Sequence, residues 1–214
     1  MQKLTEYESR KILEKYGIAL PQAKLVKNRQ DAILAAKKVG FPCIMKIISK
    51  DILHKSDFGG VVVNIMTKDE ARDAFLKIIE NAKKQVPDAK IDGILVEKTA
   101  YGVECIVGAS QDPQFGPVLM FGLGGIFVEV MKDVSFRLIP VEKKDVREMI
   151  TEIKAYPLLN GARGQAAVNI KAIEDTLLKV SKMVKKEKIT ELDINPLIVN
   201  EDGAVCADCR MILG

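Results

Sequence analysis

The last two apolar segments of the chain place the strongest constraint on its fold. Residues 191–200 (ELDINPLIVN) and 204–213 (AVCADCRMIL) have the composition of strands, and the turn Asn200-Glu201-Asp202-Gly203 joins them. An Asp-Gly turn between two apolar runs is a strong hairpin signal. The chain therefore ends in two adjacent antiparallel strands, and hairpins of this kind favour an α+β fold.

The preceding residues mix amphipathic helices with short strands. Apolar residues at helical spacing predict helices over about residues 3–17, 29–39, 68–85, 143–154 and 171–186. Apolar runs bounded by turn residues predict the strands AKLVK, CIMKIIS, VVVNIM, GILVEK, ECIVGAS, PVLMFGL and FRLIPV. This mixture predicts an α+β fold of two α/β lobes, with lobe A over about residues 1–98 and lobe B over about residues 99–214.

Composition limits the classes of function. Of the 214 residues, 48% are apolar and 29% are charged, which is typical of a globular protein with a buried core. The formal net charge of +4 arises from 33 basic and 29 acidic residues that are interspersed, so no basic stripe for a nucleic acid is present. No run reaches the roughly 18 apolar residues of a membrane span, and the first residues lack an apolar signal core. We therefore expect a cytoplasmic protein without a nucleic-acid or membrane partner.

Several candidate binding residues lie on or after predicted strands. Lys46 lies within CIMKIIS, where it either neutralises a phosphate near a glycine-containing loop or simply faces water. Gly59-Gly60 allows backbone N–H groups to approach an anion, although glycine pairs are also common in turns. Neither G-x-x-x-x-G-K-S/T nor G-x-G-x-x-G occurs, which excludes Walker-type ATPases and dinucleotide-binding proteins. Glu97 and Lys98 end the strand GILVEK, where strand-edge backbone either binds a nucleotide base or is simply exposed.

Three polar side chains share one face of the C-terminal hairpin. Pairing through the turn brings Asn195 and Asp208 opposite each other, and Asp193 lies on the same face two residues before Asn195. Oxygen ligands on neighbouring strands suit Mg²⁺, whose remaining positions are filled by water and phosphate. Polar groups in a buried, apolar hairpin need either partners or a cation. The sequence therefore predicts a magnesium site at this hairpin.

Longer stretches around these residues resemble a known family. They are YGIALP, IMKIISKDILHKSDFGGV, GILVEK, FGLGGIFVEVMKDVSFRLIPV, LLNGARG, ELDINPLIV and ADCR, and they are spread over essentially the whole chain. HKSDxGGV and ELDINPL, in that order, are the most specific. The chain is similar to the nucleotide-binding β subunit of the NDP-forming acyl-CoA synthetases, an ATP-grasp protein related to the succinyl-CoA synthetase β subunit. It most resembles the short, separate β subunits of archaeal ADP-forming acetyl-CoA synthetases. The resemblance implies the ATP-grasp fold, with the nucleotide in the cleft between two lobes.

The resemblance also implies roles for residues at matching positions. The residues that would bind ATP or ADP are Lys46, Gly59 and Gly60 at the phosphates, Val96, Glu97 and Lys98 at the adenine, and Glu104 near the ribose. Asn195 and Asp208 would hold Mg²⁺, and Asp193 corresponds to an acidic residue that steadies a phosphorylated imidazole. The resemblance assigns no defined role to Glu129, Arg163 or the turn GLGG.

His54 is the only histidine of the chain and lies in KDILHKSDFGGV. A lone histidine in a polar loop is most simply a solvated side chain. The resemblance implies instead that His54 carries a phosphoryl group to ADP from an acyl phosphate made on another subunit, because the two sites are too far apart for direct transfer. Imidazole suits this role, since its neutral form is nucleophilic at cellular pH. We therefore expect a phosphohistidine at His54, and we expect Ile52 and Phe58 beside it to be buried against the partner.

The partner implied by the resemblance is an α subunit with the CoA-binding and ligase domains, in an α2β2 assembly. The implied reaction is that of an acid–thiol ligase, acyl-CoA + ADP + phosphate = carboxylic acid + CoA + ATP. Two alternatives remain open. A self-contained ATP-grasp carboxylate ligase would carry an additional substrate domain. A non-catalytic nucleotide-sensing subunit would bind ATP without forming a phosphorylated intermediate.

Overall fold

The structure, a computed structural model, describes residues 1–52, 55–125, 128, 130–162 and 166–214. The candidate residues that lie outside the described residues are His54, Glu129 and Arg163. The chain divides into two compact units, a smaller unit of Pro21–Thr99 and a larger unit of Met1–Leu20 together with Ala100–Gly214. Within the described ranges, we find no helix with the length and apolar character needed to span a membrane.

Strands and helices are interspersed along the chain. The described elements, in chain order, are β1 (Gln2–Leu4), α1 (Glu6–Lys15), β2 (Ala23–Val26), α2 (Arg29–Val39), β3 (Cys43–Ser49), β4 (Val61–Ile65), α3 (Lys68–Gln85), β5 (Ile91–Lys98), β6 (Val103–Asp112), β7 (Gly116–Leu123), β8 (Val134–Leu138), α4 (Lys143–Glu152), α5 (Tyr156–Leu159), α6 (Ile170–Lys186), β9 (Ile189–Val199), β10 (Ala204–Cys206) and β11 (Cys209–Leu213). The paired strands are antiparallel throughout the described residues. This confirms the α+β class that the terminal hairpin favoured.

The smaller unit is a four-stranded sheet of order β2-β5-β3-β4, with α2 and α3 packed on one face. Each helix begins after a capping side chain. The Asn28 oxygen accepts a hydrogen bond from the N–H of Asp31, and the Thr67 oxygen accepts one from the N–H of Glu70. The bounds of both helices confirm the predicted ranges 29–39 and 68–85. These ranges could be predicted because caps and the spacing of apolar residues are local signals.

The larger unit is built on a seven-stranded sheet of order β1-β11-β9-β6-β7-β8, with β10 paired to β9. Helices α1, α4 and α6 bury a core against alternate residues of the central strands. On β9 this core takes Leu192 and Ile194, so Asp193 and Asn195 belong to the opposite face of the sheet. The helices therefore cover the face of the sheet that carries Leu192 and Ile194, and not the face that carries the predicted metal ligands.

The bounds of the two units and of the last strand differ from the expectation. Residues 1–20 were expected in lobe A but belong to the larger unit, because Gln2 pairs with Leu213 and Leu13 is buried in that unit's core. The expected single strand AVCADCRMIL is divided into β10 and β11 by Ala207 and Asp208. The first difference arises from pairing between the two ends of the chain, which local patterns do not reveal.

Candidate functional site

Lys46 and Glu97 form a buried ion pair in the smaller unit. Lys46 stands opposite Leu95, so Glu97, two residues further along β5, lies diagonally across from it on the same face. The Lys46 ammonium donates to a Glu97 carboxylate oxygen at 3.1 Å, and the two residues are 5% and 1% exposed. Met45 and Ile47 belong to the core beneath the helices, so the pair lies on the other face of the sheet. Lys46 therefore does not simply face water.

The backbone of the predicted adenine-binding residues is engaged within the sheet. β5 pairs with β2 on one side and with β3 on the other, so the expectation of strand-edge backbone is wrong for Glu97. The N–H of Lys98 donates to the carbonyl of Gln22 at 2.9 Å, and the Lys98 side chain is exposed. Contact of these three residues with adenine stays a prediction.

Gly59 and Gly60 close a tight turn. The N–H of Gly60 donates to the carbonyl of Lys55 at 2.7 Å, and the N–H of Gly59 donates to the carbonyl of Ser56 at 3.2 Å. A Cβ on Gly60 would stand 2.6 Å from the Lys55 carbonyl oxygen, and Gly59 has a φ of +76°. Close backbone packing therefore accounts for Gly60, and the left-handed φ accounts for Gly59. Since both N–H groups have protein acceptors here, their contact with a phosphate stays a prediction.

The residues on both sides of His54 are anchored in the smaller unit. Ile52 is 9% exposed and belongs to that unit's core, and Phe58 packs against the same core. The expectation of burial against a partner is therefore wrong for Ile52, whereas Phe58 is only partly buried and its burial against a partner stays a prediction. The side-chain amide of Asn81 on α3, which the sequence did not single out, donates to the carbonyl of Gly59 at 3.3 Å. A groove of about 640 Å³ lies beside Ile52 and Phe58. It is lined by Asp51, Ile52, Asp57, Phe58, Asn81, Lys84, Gln85 and Val86.

The terminal hairpin sets Asn195 opposite Asp208, as its turn predicted. The register of β10 and β11 on β9 places the two positions across from each other, and the N–H of Asn195 donates to the carbonyl of Asp208 at 3.1 Å. Asn195 is exposed, and Asp193 and Asp208 are partly buried. The hairpin is therefore buried, as expected, on the face that carries Leu192 and Ile194. On the face that carries the polar side chains the expectation of burial is wrong.

The charges at this polar face favour a cation. Burial raises the pKa of Asp193, the Arg210 guanidinium lowers it, and the carboxylates of Asp208 and Glu191 raise it. Arg210 stands directly opposite Asp193 and was not identified from the sequence, although it ends the motif ADCR. In the described part of the chain, no three His, Cys, Asp or Glu side chains cluster in a way that could hold a metal. Asn195 and Asp208 stand opposite each other and offer two hard oxygen ligands, a donor set that suits an open Mg²⁺ site completed by water and phosphate.

Glu104 lies in the same unit as this hairpin, on the strand next to β9. It is exposed and pairs with Ile198. Its carbonyl accepts a hydrogen bond from the N–H of Gly124, in the turn GLGG, at 2.7 Å. The turn is therefore held against β6 by backbone bonding, and the ribose contact of Glu104 stays a prediction.

Known proteins match the chain over nearly its whole length. The family model of the ATP-grasp domain matches residues 1–213. The β subunit of ADP-forming acetate–CoA ligase I from Pyrococcus furiosus is 50% identical, over 98% of this chain and 91% of that protein. ADP-forming acetate–CoA ligase II from Archaeoglobus fulgidus is 44% identical over 99% of this chain, which spans 30% of that longer protein.

Two solved structures of acetyl-coenzyme A synthetase 1 from Ca. Korarchaeum cryptofilum have the same fold. One, with coenzyme A and Mg-AMPPCP, has its phosphohistidine segment pointing towards the nucleotide binding site; its TM-score is 0.86 at 41% identity, covering 99% of this chain and 93% of that one. The other, with coenzyme A and acetyl-coenzyme A, has a phosphorylated phosphohistidine segment in the site I orientation; its TM-score is 0.90 at 44% identity, covering 100% and 94%. These matches confirm the predicted ATP-grasp fold.

Proposed function

The chain belongs to the ATP-grasp family, and from that premise we propose that it is the nucleotide-binding β subunit of an ADP-forming acetyl-CoA synthetase. The observation that carries this proposal is the 50% identity to such a β subunit over 98% of the chain and 91% of the relative. The complete enzyme would be an acid–thiol ligase with the net reaction acetyl-CoA + ADP + phosphate = acetate + CoA + ATP. The phosphohistidine segment of the Korarchaeum relative supports a phosphorylated His54 as the intermediate.

The step assigned to this chain is phosphoryl transfer between His54 and the nucleotide. Towards ATP, the N–P bond of the phosphohistidine breaks and a P–O bond forms to a terminal oxygen of the ADP β-phosphate. The imidazole nitrogen takes up a proton and becomes neutral again. In the reverse direction, neutral imidazole attacks the γ-phosphorus of ATP, ADP leaves, and the ring releases its remaining proton. Protein groups catalyse such a transfer almost entirely by positioning and by stabilising charge.

The charged residues of each unit suit this chemistry. Lys46 would neutralise phosphate charge from its fixed place on β3. Asn195 and Asp208 would hold Mg²⁺, which when bound would offset the charge of the nucleotide phosphates. Asp193 would accept a hydrogen bond from the His54 ring and fix its orientation. The Mg-AMPPCP bound to the Korarchaeum relative supports both the metal and the nucleotide.

This function requires a partner that carries the acyl-CoA chemistry. The chain spans 30% of the longer Archaeoglobus ligase, so the remainder of such a protein offers room for CoA and carboxylate binding. We propose that a separate α subunit supplies these sites to this chain and that the two assemble as α2β2.

Reconstitution with that α subunit tests the proposed function. The two chains together should form ATP from acetyl-CoA, ADP and phosphate, whereas neither chain alone should do so. His54→Asn should abolish turnover and keep nucleotide binding, because asparagine cannot carry the phosphoryl group. Turnover by the isolated chain would favour a self-contained ligase instead. Nucleotide binding without turnover in the complex would favour a sensing subunit.

A further inference from the structure

We infer that Asp51 and Asn81 are positioning residues that hold the two ends of the segment carrying His54. This role deepens the proposed function and rests on it, because the place of the segment matters only if His54 carries a phosphoryl group. Each residue would act through the backbone that it binds and would not touch the nucleotide itself. Together they would bring the segment to the nucleotide in one arrangement.

Asp51 fixes the end of the segment that precedes His54. Its carboxylate accepts a hydrogen bond from the backbone N–H of Lys90 at 2.7 Å. The hydroxyl of Ser49 donates to the carbonyl of Lys90 at 2.8 Å and accepts the N–H of Asp51 at 3.1 Å. A hydrogen bond that an ionised carboxylate accepts is about twice as strong as one between neutral groups. These contacts tie residues 49–51 to the connection between α3 and β5.

Asn81 fixes the end of the segment that follows His54. Its side-chain amide donates to the carbonyl of Gly59 at 3.3 Å, and a Cβ on Gly59 would stand only 2.7 Å from the same nitrogen. Asn81 is partly buried on α3, next to Ala82 of the core. Asparagine is a weaker helix former than alanine. The contact with Gly59 therefore explains an asparagine at this position better than the stability of the helix does.

The same end of the segment is joined to the strand that carries Lys46. The carbonyl of Gly60 accepts the N–H of Ile47 at 2.9 Å, and Val61 stands opposite Lys46. The turn that Asn81 holds therefore adjoins the lysine proposed to neutralise the nucleotide phosphates. For this reason we assign the arrangement held by Asp51 and Asn81 to the nucleotide half-reaction, in which phosphohistidine and the nucleotide exchange the phosphoryl group.

Contacts of this kind have to release for the half-reaction with the partner. In the Korarchaeum relative, the phosphohistidine segment points towards the nucleotide binding site in one structure and has the site I orientation in another. Single hydrogen bonds suit such a change, because each adds only modestly to stability in water. Asp51 and Asn81 should therefore favour the nucleotide half-reaction and contribute nothing to the half-reaction with the partner.

The experiment measures the two half-reactions separately in single turnovers of the reconstituted complex. Phosphohistidine is formed either from Mg·ATP or from acetyl-CoA and phosphate. For Asp51→Ala and for Asn81→Ala we expect the rate with Mg·ATP to fall about fivefold, the effect of one lost hydrogen bond. The rate with acetyl-CoA and phosphate, and the Kd for Mg·ADP, should stay within about twofold of the wild type. Asp51→Asn keeps an acceptor oxygen and should keep most of the wild-type rate.

Both alanine variants should fold, since Asp51 is exposed and alanine favours a helix at position 81. Gln85→Ala is the matched control for Asn81→Ala, because Gln85 lines the same groove from α3 and is exposed. It should behave as the wild type with both phosphoryl donors.

Several results would contradict the inference. An equal fall in both half-reactions would indicate a general effect on the fold and would overturn it. A wild-type rate with Mg·ATP for either alanine variant would remove that residue from the role. An Asp51→Asn complex as slow as Asp51→Ala would show that the charge is needed and not the hydrogen bond. A wild-type complex that forms no phosphohistidine from either donor would refute the proposed function itself, which is a separate outcome.

Discussion

Replacing Gly60 by alanine tests the packing of the turn that follows His54. The added Cβ would lie 2.6 Å from the carbonyl oxygen of Lys55, 2.8 Å from Cζ of Phe58 and 2.9 Å from Cγ2 of Ile47. The nearest atom belongs to the backbone and already accepts the N–H of Gly60 at 2.7 Å. On the other side, the carbonyl of Gly60 accepts the N–H of Ile47 at 2.9 Å. The turn therefore cannot make room for the methyl group without weakening a hydrogen bond.

We expect Gly60→Ala to lower the free energy of unfolding by about 2 kcal/mol. Overpacking costs about 1–3 kcal/mol, and a weakened backbone hydrogen bond adds up to about 1 kcal/mol. The smaller conformational entropy of alanine in the unfolded chain offsets about 0.4–1 kcal/mol. Steric conflict with a backbone oxygen is thus the dominant effect.

Urea unfolding of the isolated chain measures this loss. Gly203→Ala is the matched control, because a Cβ at that position meets no atom within 4 Å and its φ is not in the left-handed region. The control should stay within about 0.5 kcal/mol of the wild type. A Gly60→Ala chain as stable as the control would refute the packing explanation of this glycine.

Three further sets of substitutions test the hairpin and the anchoring beside His54. Asn195→Ala and Asp208→Ala should each raise the Mg²⁺ concentration needed for phosphorylation by ATP about tenfold, since each removes one of two protein ligands; unchanged Mg²⁺ titrations for both would exclude the hairpin as the metal site. Asp193→Asn should stabilise the metal-free chain at neutral pH. Burial raises the pKa of Asp193 above 3.8, so the wild-type protein loses stability as the pH rises through the raised value and the buried carboxyl group ionises. The advantage of Asp193→Asn in urea unfolding should vanish below pH 3.8, and an advantage that persists there contradicts the cause given. Ile52→Ala should destabilise the isolated chain by about 2–4 kcal/mol. An unchanged urea midpoint would instead indicate that Ile52 packs against a partner.

Local signals in the sequence were sufficient for most elements and for one half of the site. The caps Asn28 and Thr67 and the spacing of apolar residues determine the starts of α2 and α3. The turn over residues 200–203 sets the register of the last two strands, so it also placed Asn195 opposite Asp208. In both cases the determining contacts join residues that are close in sequence.

Contacts between distant residues were beyond such signals. Strand alternation predicts that Lys46 and its neighbours face opposite sides, but it does not say which residue of another strand lies beside Lys46. The sequence therefore assigned Lys46 and Glu97 separate ligands, although they pair across 51 positions. The pairing of Gln2 with Leu213 was missed for the same reason. The turn packing of Gly60 also depends on Ile47, a residue of the preceding strand.

Phosphorylation of His54 by Mg·ATP, and its reversal by ADP, is the most direct measurement of the proposed function. The chain in complex with its α subunit is incubated with γ-labelled ATP, the labelled peptide is mapped by mass spectrometry under alkaline conditions, and ADP or AMP is then added. We predict a single acid-labile, alkali-stable label on His54 that ADP returns to ATP and that AMP leaves in place. A label on serine, aspartate or glutamate, or a His54 label that ADP does not remove, would contradict the proposed function.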